Sequence, residues 1–178
     1  DEWKPRNYEE WNYQGAIRLR QALARSINMV AIRVVEDIGV KDVAEFARQN
    51  GITTKLEEDM ALALGASGVR PIELTNAYAT FAAGGRWAPT RLVTRIVSPD
   101  GSSVPLPPKE PSRDVMDPSE AYVMTSMLRS VVTEGTGAPA QRLGRAVVGK
   151  TGTSNDTRDA WFIGYSPTVV AGVWVGFD

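Results

Sequence analysis

The sequence predicts an α+β domain with helices packed on an antiparallel sheet. Three observations predict it. Apolar residues recur at helical spacing through most of the chain. Three short apolar runs separated by turn residues close it. The order, helices first and strands last, favours segregated layers over alternating βα units.

Residues 1–15 carry aromatics, Pro5 and Gly15 without periodicity and read as an irregular segment. From Ala16 to Ile38 the helical positions are Ile17, Leu19, Ala22 and Leu23, then Met29, Val30, Ile32, Val34 and Val35. Ser26 interrupts this run and is expected to cap a second helix from Ile27 to Ile38, with Gly39 just past its end. Lys41 to Gln49 reads as a short helix closed by Gly51, and residues 52–70 as loop. Pro71 opens a helix at a favourable first position, with Glu73 in its first turn, and Gly84-Gly85 stops it. Arg91 to Val97 alternates like a strand before the Pro99-Asp100-Gly101 turn. The proline-rich residues 104–113 read as extended loop. Pro118 to Thr133 is an amphipathic helix ended by Gly135. Ala146 to Gly149, Ala160 to Tyr165 and Val169 to Val175 read as an antiparallel meander, with Asn155-Asp156 and Ser166-Pro167 between its strands.

The 178 residues suffice for one domain with a core of its own. A net charge of −1 points away from a nucleic-acid partner or an anionic membrane surface. Cysteine and histidine are both absent, so disulfides, thiol chemistry, a His-based triad and a His metal site are all ruled out. Any general base must be Lys, Asp, Glu or Tyr. No cofactor or metal is expected. No apolar run approaches the roughly 20 residues of a membrane span, and no signal peptide opens the chain. It begins at Asp1-Glu2-Trp3 and ends within an apolar run at Phe177-Asp178. Both ends read as cuts through a larger protein.

Gly149-Lys150-Thr151-Gly152-Thr153 admits two functional readings. Gly144 through Thr151 satisfies the phosphate-loop pattern G-x-x-x-x-G-K-[ST]. That loop needs a helix starting at its lysine, so that the helix N-terminus faces the phosphates. Thr151 to Thr157 is poor helix-forming sequence, and Ala146-Val147-Val148 is strand-like rather than glycine-rich. The other reading is a K-T-G strand of the kind found beside S-x-x-K and S-x-N in serine acyl-transferases. There a lysine and neighbouring threonine hydroxyls would face a substrate carboxylate. Glycine would keep the strand slim beside the ligand, and a backbone N–H would face a developing oxyanion.

A partner motif lies upstream. Ser26-Ile27-Asn28 fits S-x-N, and Leu19 to Asn28 as a whole resembles the S-x-N region of class A penicillin-binding proteins. The resemblance extends through Ala63-Leu64-Gly65-Ala66, Pro71 to Phe81, Glu134-Gly135-Thr136-Gly137, Gly149 to Asp156, Asp159 to Tyr165 and Gly172 to Gly176. It implies a penicillin-binding protein/serine β-lactamase-like fold, incomplete here. Residues 1–178 would be the later part of a transpeptidase domain, lacking the S-x-x-K segment and the C-terminal helix. No serine stands three residues before any lysine of the chain.

The resemblance further implies peptidoglycan cross-linking by D-Ala-D-Ala transpeptidation through an acyl-enzyme, and binding of β-lactam antibiotics. Ser26, Asn28 and Lys150 would be catalytic, while Thr151, Gly152 and Thr153 would bind substrate. The partners would be peptidoglycan stem peptides, the rest of the transpeptidase domain and a glycosyltransferase domain. The location would be outside the cytoplasmic membrane, anchored by a membrane segment absent from this chain. Its rivals are a β-lactam sensor and a serine β-lactamase-like hydrolase, with Glu73 as the tempting water activator. A nucleotide-binding phosphate loop is more remote.

Overall fold

The computed structural model describes Asn7, residues 15–154 and residues 158–177. Apart from Asn7, the predicted irregular segment before Gly15 lies outside the described residues, as does the Asn155-Asp156 turn.

The predicted class is the observed one. Helices α1 (Leu19–Arg25), α2 (Asn28–Ile38), α3 (Val40–Gln49), α4 (Pro71–Ala82) and α5 (Pro118–Glu134) accompany a sheet made of β5 (Val148–Thr153), β6 (Asp159–Tyr165) and β7 (Val170–Gly176). The sheet is the predicted meander, antiparallel in the order β5-β6-β7. Its first strand starts later than expected and runs on through Thr153, so the whole Lys150 segment is strand. Between α4 and α5 lie two small ladders, β1 (Arg86–Trp87) with β4 (Arg113–Asp114) and β2 (Ile96–Val97) with β3 (Ser103–Val104). The predicted strand over Arg91–Val97 survives only as Ile96–Val97, and the predicted loop 104–113 contributes a residue to each ladder. A 3₁₀ turn, Met60–Leu64, punctuates the predicted loop 52–70, and another, Ala138–Leu143, follows α5.

Helix α5 is the central pillar. Asp117 and Glu120 form a reciprocal capping box at its start, with Pro118 as first helical residue. Its buried apolar residues Ala121, Leu128, Val131 and Val132 form one face, and Ser130 is buried as well. Helix α5 contacts α1 and β5, with Arg20 of α1 donating to the Ser126 carbonyl oxygen at 2.6 Å, while α4 packs on β6 and β7. The strand register assigns Val148, Lys150 and Gly152 the same sheet face as Tyr165, Ile163 and Trp161. The Tyr165 hydroxyl bonds the Thr125 hydroxyl of α5 at 2.8 Å, so this is the helix-covered face. A Cβ at Gly172 would collide with Thr75 of α4, which is why β7 carries a glycine there. On the other face Val173 and Val175 are exposed.

A second core joins α3, the 52–70 segment and α4 through Ala44, Ile52, Leu56 and Ala77. Glu73 clamps it. Its carboxylate accepts hydrogen bonds from the Thr53 N–H and hydroxyl (3.2 and 2.6 Å), the Thr54 N–H and hydroxyl (3.1 and 2.7 Å) and the Arg70 guanidinium (2.8 Å). Burial by itself would raise the pKa of this group. The donors overcome that and hold it down at about 2.

One local departure bears on function. Ser26 does not N-cap α2; that position is Ile27, which offers no capping side chain. Ser26 instead ends α1 in a Schellman motif, its N–H donating to Leu23 O (3.2 Å) and that of Ile27 to Ala22 O (3.0 Å). Ser26 has φ 55°, and among the described residues no other non-glycine residue has positive φ.

The Glu73 clamp predicts acid sensitivity with a defined sign. A carboxylate with a folded pKa of about 2, against about 4.3 when unfolded, contributes fully above the higher value. Its contribution is lost as pH falls toward the lower one. Urea melts of the protein carrying this chain should show Glu73→Gln less stable at neutral pH by about 1–3 kcal/mol, with the difference shrinking in acid. A pH-independent difference would refute the clamp.

Candidate active site

Three segments far apart in sequence converge at the C-terminal end of α1. The first is Ser26, whose left-handed backbone conformation costs a non-glycine residue roughly 1–2 kcal/mol. Such strain survives where surrounding structure enforces it. Here the bonds of the α1 terminus fix the backbone, and the hydroxyl receives a hydrogen bond from across the fold. Lys150 Nζ donates to Ser26 Oγ at 2.8 Å, and also to the Thr151 carbonyl oxygen at 2.8 Å.

The second segment is β5. Lys150 stands opposite Ile163 of β6, with Gly149 opposite Gly164. A Cβ on Gly149 would fall 2.6 Å from the Ile163 carbonyl oxygen and 2.8 Å from the Phe162 ring, so this position must be bare. A Cβ on Gly152 would come within 3.3 Å of Trp161 Cβ, so sheet packing by itself favours glycine there. Thr153 ends β5 opposite Ala160 and is exposed.

The third segment is the turn after α5. Gly135 lies so tightly against the Ala24 carbonyl that no side chain fits. The Thr136 N–H donates to Ala24 O at 3.0 Å. The Thr136 hydroxyl lies 2.6 Å from that of Thr151. The end of α1 is therefore tied to β5 twice, directly through Ser26–Lys150 and indirectly through Thr136–Thr151.

Of the residues singled out from sequence, Ser26, Lys150 and Thr151 are brought together, and Gly152 and Thr153 continue along the same strand. Asn28, half-buried, opens α2 two residues beyond Ser26. Its neighbour Met29 donates its N–H to the buried Asn7 side chain at 3.1 Å. Sequence reasoning assigned no role to Thr136. The signal available was its place in Glu134-Gly135-Thr136-Gly137, where paired glycines mark a close backbone approach.

The electrostatics separate the candidate bases. Burial lowers the Lys150 pKa from 10.5 to about 8, which places its charge change near neutrality. Burial, with Tyr165 nearby, pushes Tyr78 up to about 12. Glu73 is held at about 2 and its oxygens are occupied by donors, so it is no water activator. The phosphate-loop reading fails on geometry, because Lys150 is mid-strand and no helix begins there.

Comparison with known proteins agrees with this fold. The family model for the penicillin binding protein transpeptidase domain matches residues 1–176. Penicillin-binding protein 1A of Neisseria meningitidis is 38% identical over 182 residues, covering 99% of this chain and 23% of that protein. Penicillin-binding protein 1A of Aquifex aeolicus is 41% identical over 178 residues, covering 100% and 24%. The chain thus spans about a quarter of the length of the curated relatives it matches. The crystal structure of penicillin-binding protein 1A from Haemophilus influenzae superposes with a TM-score of 0.88 at 28% identity, over 99% of this chain and 32% of that one. A penicillin-binding protein from Mycobacterium tuberculosis gives 0.79 at 26% identity, over 97% and 50%.

The buried ammonium makes a direct prediction. In NMR of ¹³C-lysine-labelled protein, the Lys150 ε-carbon should titrate with a midpoint of about 8. A midpoint at the ordinary lysine value of about 10.4 would mean that the amine is solvated.

Proposed function

This chain belongs to the family of penicillin-binding protein transpeptidase domains, and on that premise we propose that it forms the later part of a serine D-Ala-D-Ala transpeptidase that cross-links peptidoglycan and binds β-lactams. The observation that carries the reading is the 2.8 Å bond from Lys150 Nζ to Ser26 Oγ, which joins the S-x-N and K-T-G segments into one wall.

The reaction begins when a serine outside residues 1–178 attacks the penultimate D-alanine carbonyl of a stem peptide. A lysine beside that serine takes its proton. Ser26 passes a proton to the nitrogen of the departing D-alanine, and Lys150 orients the Ser26 hydroxyl and supplies positive charge. Asn28 holds the upstream lysine and the substrate amide. The hydroxyls of Thr151 and Thr153 bind the terminal carboxylate. The Thr153 N–H contributes to the oxyanion hole, and Gly152 lets the substrate backbone approach. The amine of a second stem peptide then attacks the acyl-enzyme, forming the cross-link and freeing the serine. Penicillins enter because their carboxylate and strained amide imitate the D-Ala-D-Ala terminus.

The parent protein carries this domain beside a glycosyltransferase domain and works outside the cytoplasmic membrane. The quarter-length match supports further domains in the parent. Among the described residues no helix is long and apolar enough to cross a membrane, so in this reading the anchor belongs to another part of the parent. A hydrolase is disfavoured because Glu73 serves the fold.

Two measurements test the proposal. Fluorescent penicillin should label the full-length parent but leave residues 1–178 alone unlabelled; covalent labelling of this chain would place a nucleophile within it. In the full-length protein, Lys150→Ala should slow acylation by about 100-fold or more with the melting transition retained. An unchanged acylation rate would remove Lys150 from the mechanism.

A further inference from the structure

We infer that Thr136 is a positioning residue for the Thr151 hydroxyl, serving as its hydrogen-bond donor so that Thr151 keeps its own hydrogen for the substrate carboxylate. The inference rests on the proposed role of Thr151 in binding that carboxylate.

A threonine hydroxyl has one hydrogen to give and two lone pairs with which to accept. The Thr136 and Thr151 oxygens are 2.6 Å apart, a short O–H···O distance occupied by one hydrogen from one of them. Either direction is possible while the site holds no ligand. Once a carboxylate arrives, which can only accept, Thr151 has to donate to it. The hydrogen between the threonines must then come from Thr136. A hydroxyl that accepts on one side and donates on the other is also polarised in the favourable sense.

Thr136 is suited to this task because its backbone is held by α1 and α5 rather than by β5. Its N–H is fixed to Ala24 O at 3.0 Å, and the next N–H, that of Gly137, is bound to Val131 O at 2.9 Å. Gly135 packs on the Ala24 backbone where no side chain would fit. The Thr136 hydroxyl is therefore referenced to the α1–α5 framework, the same framework that holds Ser26. The carboxylate-binding hydroxyl on β5 is thereby aligned with the proton relay on α1.

The test compares acylation of the full-length protein by a penicillin and by an analogue whose carboxylate is replaced by a neutral amide. Thr136→Val should lower the second-order acylation rate for the penicillin about 10-fold, through weaker binding rather than slower chemistry. Thr136→Ser should restore most of it. The variant should equal wild type on the neutral analogue. Thr136→Val combined with Thr151→Val should be no worse than Thr151→Val alone. Equal losses on both compounds, a serine variant as impaired as the valine variant, or no loss at all would overturn the role. If wild-type full-length protein is not acylated at all, the functional reading itself falls, whatever Thr136 does.

Discussion

The short bond between Lys150 and Ser26 is the constraint on which the rest of the arrangement depends. To make it, an ammonium must leave water, a serine must hold a left-handed backbone, and a strand must lie against the end of a helix. Each requirement has a visible solution. Burial of Lys150 is tempered by two oxygen acceptors at 2.8 Å. The Ser26 conformation is locked by the two Schellman bonds ending α1. The close approach is allowed by glycines: Gly149 within the sheet and Gly135 against Ala24. Replacing either glycine would push backbones apart at the place where the bond has to form.

The fold divides its ionisable groups between structure and chemistry. Glu73 is saturated with donors and holds the 52–54 segment on α4. Tyr78 is kept protonated by burial. Lys150, by contrast, is desolvated without being neutralised, and its pKa falls to about 8. A group poised near neutral pH can carry charge toward a carboxylate and still adjust its proton as a neighbouring hydroxyl gives one up. The separation follows from environment, since all three residues are at least partly withdrawn from water.

The helices and the final meander were legible because their signals are local. Pro71, the Asp117-Pro118-Ser119-Glu120 start of α5, and the apolar runs of β6 and β7 state their own structure. Ser26 misled for a physical reason: serine is a favoured N-cap, and nothing nearby reveals that it will adopt φ 55° and end the preceding helix instead. The small ladders β1–β4 and β2–β3 were missed or overextended because each strand is two residues long, too short for an alternation to mark it. The candidate site was legible as two motifs, but their contact was not, and Thr136 was invisible as chemistry. Its role comes from a neighbour fifteen positions away and from a carbonyl on α1.

The Lys150–Ser26 bond closes a separation of 124 residues. Closing so long a loop costs entropy that only completed packing can offset. Capped helices and a hairpin meander can form from contacts close in sequence. The helix that ends at Ser26 and the strand that carries Lys150 can thus both exist in a chain whose walls have not yet met. The Lys150–Ser26 contact is consequently a late reporter: it registers completion of the fold, where helical content registers only its beginning.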